Sequence, residues 1–246
     1  MLLSIMFCLI SSVSWAEAVS WADLVENPGD GLVYKKFLTM PFTGVVMATA
    51  DDPVQRSYKD GVKHGEWVEF DANGLVTTKS EYSEGKIQKI VGFKDGKETT
   101  EEKYKYYENG QLESKENYAD GKEHGLHEGY YKNGQLFFTA NYKDGKAHGQ
   151  LESYYENGQI RSKSKWKDNE QNGLTESYYE NGQLDFKTGY KDGKEHGLLE
   201  DYYESGKLFS KSNYKDGEPH GLQEYFNEDG SLQQSYKIEN GKMVFD

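Results

Sequence analysis

At 246 residues the chain is long enough for one or two ordinary domains, yet only 35% of it is hydrophobic and its mean hydropathy is -0.93, too little apolar material for a conventional large core. Its 42 acidic and 29 basic residues leave a net charge of -13, which repels phosphate backbones and anionic lipid, so neither nucleic acid nor a strongly anionic membrane is an expected partner. The 20 tyrosines and 11 phenylalanines exclude a solvated random chain, because so many rings must pack.

Met1 to Val13 form an apolar run followed by Ser14, Trp15, Ala16, Glu17 and Ala18, where small residues stand at the spacing a signal peptidase reads. Residues 1–18 are expected to be a secretory signal cut near Ala16 or Ala18, making the mature protein periplasmic or secreted. A short membrane anchor is the competing reading, although the run falls short of the roughly 20 apolar residues a bilayer-spanning helix takes. No Lys or Arg stands beside Met1, a departure from the usual charged start. Cys8, the only cysteine, lies inside this segment after Phe7, so the mature chain has no thiol for a disulfide, a thiolate metal site or a nucleophile.

Residues 19–58 read as an amino-terminal cap and degenerate first repeat, and 59–246 as a repeat array whose period of 24 is regular from about 97. One turn, mostly Asn-Gly, recurs at Gly110, Gly134, Gly158, Gly182, Gly206 and Gly230. A second, mostly Asp-Gly, recurs at Gly121, Gly145, Asn169, Gly193, Gly217 and Gly241. Both dipeptides supply the positive φ angles of a type I′ hairpin, and the segments between them alternate, as in Leu184, Phe186, Thr188 and Tyr190 against Asp185 and Lys187. The chain is therefore expected to be all-β, an elongated single-layer antiparallel meander of stacked hairpins gaining roughly 10 Å per repeat. With Ser205 and Gly206 central in a turn, Tyr203 faces Leu208 and Glu200 faces Lys211, and the same rule pairs Glu152 with Lys163 and Glu176 with Lys187. The segments after Asp-Gly are two residues longer, and a bulge or wider loop near Lys-Glu-His-Gly must absorb an excess that keeps parity.

Between Gly74 and Gly110 the spacing is 36, with turns at Gly74, Gly85 and Gly96. Three strands in succession there would exchange the two edges, placing His64 opposite His124, His148, His196 and His220. Ile90, in the slot held by Lys187, would then put an apolar spot on the charged face.

The unit Tyr190-Lys191-Asp192-Gly193-Lys194-Glu195-His196-Gly197-Leu198, continued to Leu208, resembles the MORN (membrane occupation and recognition nexus) repeat, closest to the bacterial variant labelled YwqK-type antitoxin. Val33-Tyr34-Lys35-Lys36 and Pro41-Phe42-Thr43-Gly44 are similar to that variant's opening motif. The resemblance covers about residues 30 to 246 and implies a single-layer sheet used for contacts with proteins or, in eukaryotic members, membranes.

The histidines before glycine, His64, His124, His148, His196 and His220, stand too far apart along the ribbon to share one metal ion. A turn-stabilising role is expected for them, with Asn172 in the same slot; no metal and no cofactor are expected. The paired tyrosines Tyr106 and Tyr107, Tyr130 and Tyr131, Tyr154 and Tyr155, Tyr178 and Tyr179, and Tyr202 and Tyr203 form two columns on opposite faces, serving either as packing or as a binding face. Motifs for nucleophilic, phosphate-binding or zinc-protease chemistry are missing, and the recurrent glutamates have Lys partners, so no enzyme is expected. The reading is a non-catalytic scaffold in the cell envelope or periplasm whose tyrosine-rich sheet meets a protein partner of unknown identity. An antitoxin-like neutraliser of a specific toxin and an envelope or carbohydrate-binding module are the alternatives.

Overall fold

The computed structural model describes residues 17–239 and 241–244. The apolar run of the expected signal, including Cys8, lies outside them. The chain divides into a first unit up to Thr99 and a second from Thr100. Among the described residues no α-helix occurs, and no helix is long and apolar enough to cross a membrane.

In the first unit, β1 (Glu17–Val19) lies parallel to β4 (Gly44–Val46), while β2 (Leu24–Glu26) and β3 (Val33–Lys35) form a separate hairpin. A single 3-10 turn, Trp21–Asp23, separates β1 from β2 and is closed by Ser20 and Asp23 as a capping box. From β4 the chain continues antiparallel through β5 (Val54–Lys59), the short β6 (Val62–Lys63), β7 (Gly65–Phe70), β8 (Val76–Ser83) and β9 (Lys86–Lys94). Val19, Leu24, Val33, Phe42, Val46 and Tyr58 form a small conventional core, and Trp67 packs against it. Rings continue outward from Tyr58 to Trp67 and Tyr82, with Arg56, paired to Asp52, over Trp67.

After β10 (Lys97–Tyr106), the second unit runs through β11 (Leu112–Ala119), β12 (Lys122–Glu123), β13 (Gly125–Tyr130) and β14 (Leu136–Lys143), and repeats the pattern to Val244 as an antiparallel meander. Its centre is unlike an ordinary core. Among the described residues buried here, Ala140 is the one hydrophobe, accompanied by His127, Ser164, Thr175, Thr188, Ser210, Ser212 and Gln223. Thr175 pairs with Thr188 across neighbouring strands in this set, whose members are mostly small polar side chains.

The predicted register holds: Glu152 faces Lys163, Glu176 faces Lys187 and Glu200 faces Lys211. The two extra residues of the long segments lie where expected, since Tyr118 faces Glu123 but Lys115 faces Glu128, a slip of two that preserves parity.

Two expectations fail. The Asp-Gly turns have both residues at positive φ, as at Asp120 (47°) and Gly121 (74°), but at the Asn-Gly turns only the glycine does, as at Gly110 (86°). Gly110 N–H donates to Tyr107 O and Tyr107 N–H to Gln111 O, so the glycine follows a tight turn and creates a bulge. The pairing then shifts at the strand end: Tyr202, not Tyr203, faces Leu208, and Tyr203 enters the turn. The second failure concerns Ile90. Gly85 does sit in a turn, with Glu84 also at positive φ, but β8 and β9 slip by one residue between Glu81 and Tyr82. That odd slip reverses parity, so Ile90 faces Ser80 on the Trp67 side. Val91, facing Lys79 beside Val68, makes the apolar spot instead, and both valines are buried.

Candidate interaction surface

In the second unit the strands that end at the tyrosine pairs carry a residue run of one parity. Leu174, Glu176 and Tyr178 are one example, and Leu198, Glu200 and Tyr202 another. Leu126, Leu174, Leu198 and Leu222 are exposed, although they are large and apolar, while Gln150 takes the corresponding place in the repeat between the first two.

The glutamate of the last of these runs is held on two sides. Glu200 receives Lys187 at 2.6 Å and Lys211 at 3.7 Å, and its side chain is 13% exposed. The hydrogen bond from Lys187 is the chief reason the Glu200 carboxyl titrates below the ordinary range, and the same bond raises Lys187. Glu152 accepts from Tyr154 at 2.6 Å and Glu176 from Tyr178 at 3.0 Å. Burial first, and then the Glu152 bond, push the Tyr154 phenol up to about 12. A phenol that donates to a carboxylate resists ionisation because the product anion would face a second negative charge.

The second tyrosine of each pair stands in the turn and reaches the following repeat. Tyr107, Tyr131, Tyr155, Tyr179 and Tyr203 donate their hydroxyls to the carbonyls of Tyr130, Tyr154, Tyr178, Tyr202 and Phe226 at 2.7 to 2.9 Å. All ten candidate tyrosines are half-buried. A parallel ladder runs along the same edge: Asn109, Asn133, Asn157 and Asn181 donate Nδ2 to the carbonyls of Lys132, Glu156, Glu180 and Glu204. A Cβ at Gly182 or Gly206 would meet the Oε1 of Gln159 or Gln183 at 2.7 and 2.5 Å.

On the opposite edge, His124, His148 and His196 each bring Nδ1 to 3.5–3.7 Å from the aspartate of the following Asp-Gly turn, Asp144, Asp168 and Asp216. Asn172 donates to Asp192 at 3.3 Å from the equivalent slot, which accounts for its substitution. His124, His148 and His196 thus each stand near the carboxylate of the next turn, at separations longer than a normal hydrogen bond. Among the described residues no group of three or more potential ligands gathers. His64 belongs to the first unit and the others to the second.

Three features escaped the sequence. His127, outside the histidine column, is buried between Tyr118 and Tyr142, with Nε2 2.8 Å from the Asn117 carbonyl. The inter-repeat bonds escaped too, though their recurrence at 23 residues matches the period less one. In the first unit, Phe37 is fully exposed with φ 67°, beside exposed Leu38 and Met40.

The MORN repeat variant matches residues 102–120, 123–144, 147–168, 171–192 and 195–216. These five segments are MORN repeats. The last four run from the strand after one turn of the Asp-Gly type to the next such turn, and the first begins within β10. MORN repeats are generally non-catalytic. No curated protein matches the chain. Among solved structures, the GtfA/B complex bound to UDP and GlcNAc is similar at 17% identity over 47% of this chain and 22% of that one, with a TM-score of 0.21. TarM is similar at 16% identity over 49% of this chain and 22% of that one, with a TM-score of 0.20. The Photorhabdus luminescens Tc holotoxin pore is similar at 12% identity over 75% of this chain and 13% of that one, with a TM-score of 0.24. The chain thus spans less than a quarter of each of these proteins, and the TM-scores are too low to bear on fold or function.

Proposed function

We propose that the protein is an exported, non-catalytic scaffold whose MORN array binds a partner protein through its tyrosine-bearing surface. The observation that carries the reading is the recurrent run of exposed leucine, held glutamate and half-buried tyrosine, as in Leu198, Glu200 and Tyr202. Exposed leucines at a fixed spacing gain nothing for a monomer in water and suit a partner that removes them from it. The hydroxyls are already used within the array, so the partner meets ring faces rather than free phenols.

Export rests on the apolar run before Ala16 and on the small residues at its end. The experiment is affinity capture from a periplasmic extract with the tagged protein and with a Leu174→Ser, Leu198→Ser, Leu222→Ser variant. The expected result is a partner retained by the parent chain and lost by the variant. A partner held equally by both, or none held by the parent, would refute this surface. Capture of a single small toxic protein would turn the scaffold into a neutraliser.

A further inference from the structure

We infer that Asn73 is a site of spontaneous deamidation in the folded protein, and that the Asn-Gly turns at Asn109, Asn133, Asn157 and Asn181 are latent sites which the repeat ladder protects. The chemistry is general to asparagine before glycine, where no Cβ shields the following amide. The Gly74 nitrogen gives its proton to solvent base and attacks Asn73 Cγ. A new N–Cγ bond forms, the Cγ–Nδ2 bond breaks, and ammonia leaves a cyclic succinimide. Water then opens either carbonyl, giving aspartate or isoaspartate, so that only water is consumed and one negative charge is gained.

What decides the rate is the freedom of the carboxamide to swing onto the neighbouring nitrogen. In the array it is pinned at both ends. Asn109 Oδ1 accepts from Gln111 N–H at 3.0 Å, and its Nδ2 donates to the Lys132 carbonyl of the next repeat at 2.8 Å. Asn133, Asn157 and Asn181 repeat both bonds. Attack at any of them must break a local bond and an inter-repeat bond as well as the Gly N–H bond to the turn tyrosine.

Asn73 has the same dipeptide and the same turn, with Gly74 N–H donating to Asp71 O, but not the tethers. Here Asp71 takes over the local role: its Oδ1 accepts from both Asn73 N–H and Leu75 N–H. The Asn73 amide is left exposed, with a contact to the Asp71 carboxylate inside its own turn. Among the described residues no carbonyl of another hairpin holds it as Lys132 holds Asn109.

The chemistry also differs in consequence. Conversion at Asn73 leaves the ladder intact, whereas aspartate at Asn109 has no Nδ2 to donate to Lys132. An array repeat that opens can therefore be fixed in the open state, since the converted residue cannot remake its bond.

The test is peptide mapping with isoaspartate detection after the full chain has been held in mildly alkaline buffer, folded and in concentrated urea. Folded, Asn73 is expected to convert severalfold faster than Asn109, Asn133, Asn157 and Asn181; in urea the five should converge. Asn73→Ser should remove the fast signal and leave the array's slow ones unchanged. Equal rates in the folded chain, or an unmodified Asn73, would overturn the assignment. Array sites that stay slow in urea would show that local sequence, not the ladder, protects them.

Discussion

If the turn tyrosines hold the repeats together, removing their hydroxyls while keeping their rings should loosen the array in measurable steps. Tyr155→Phe deletes one bond of 2.7 Å to the Tyr178 carbonyl and nothing else. A neutral hydrogen bond contributes about 1 kcal/mol net, and the half-buried position lets water reach part of the orphaned carbonyl, so the expected loss stays near that value. Sites about 10 Å apart without a shared partner should be close to additive. The combined Phe variant at Tyr107, Tyr131, Tyr155, Tyr179 and Tyr203 removes the five bonds together and should lose about 5 kcal/mol. That is the lower end of the stability of a whole domain, about 5 to 15 kcal/mol. Urea unfolding followed by far-ultraviolet circular dichroism reads the change as a lower midpoint, smaller for Tyr155→Phe and severe for the combined variant. An unchanged midpoint in the combined variant would refute the reasoning and free these tyrosines for a purely external role.

Lys187→Met should flatten the acid and alkaline limbs of stability. Glu200 titrates low because of Lys187, so its contribution is present above the unfolded carboxyl pKa and lost as pH falls through the folded one. Lys187 titrates high for the same reason, so its contribution is lost as pH rises through its folded value. Denaturant midpoints across the pH range would read both. Tyr118 and Tyr154 are pushed to about 12, so tyrosinate absorbance in the folded protein should lag, and stability should fall as pH rises from 10.0 toward 12. Deleting one period, Lys146 to Asn169, should leave a folded protein with retained strand signal in circular dichroism, because each repeat bonds to its neighbours. Amino-terminal sequencing of exported protein should find Glu17 rather than Val19, because cutting after Ala18 would remove two of the three residues that β1 aligns with β4; Val19 would count against that strand, and an intact Met1 against export.

The strand alternation and the Glu200–Lys211 register were legible because period-two patterning and opposite charges agree on one alignment. The turn geometry was not, since Asn-Gly permits a type I′ turn without requiring it. In the array, asparagine spends its side chain on Gln111 and Lys132 instead, and that choice depends on a neighbouring repeat. Ile90 was misplaced for a different reason: a one-residue bulge inside an uninterrupted strand pair leaves no glycine or proline to mark it. His127 carries no pattern at all, because the positions one and two periods later are Leu151 and Thr175.

The array's cohesion lies in bonds to backbone carbonyls, which any residue provides, and this leaves some positions free to differ between repeats. The site just after the leucine or isoleucine that opens each short segment is one: Glu113, Phe137, Arg161, Asp185 and Phe209 succeed one another there. Phe137, Arg161 and Phe209 lie beside the fixed tyrosines. Phe137 meets Tyr131 with centroids 5.0 Å apart, Phe209 meets Tyr203 at 5.2 Å, and the Arg161 guanidinium stands 5.9 Å from the Tyr155 ring. A partner crossing several repeats would find the same ring at each step beside a neighbour that is acidic, aromatic or basic. If the proposed partner also reaches this side of the sheet, the fixed tyrosines would supply contact area in every repeat, and the variable neighbour would supply the sequence of charges and rings by which one partner is distinguished from another.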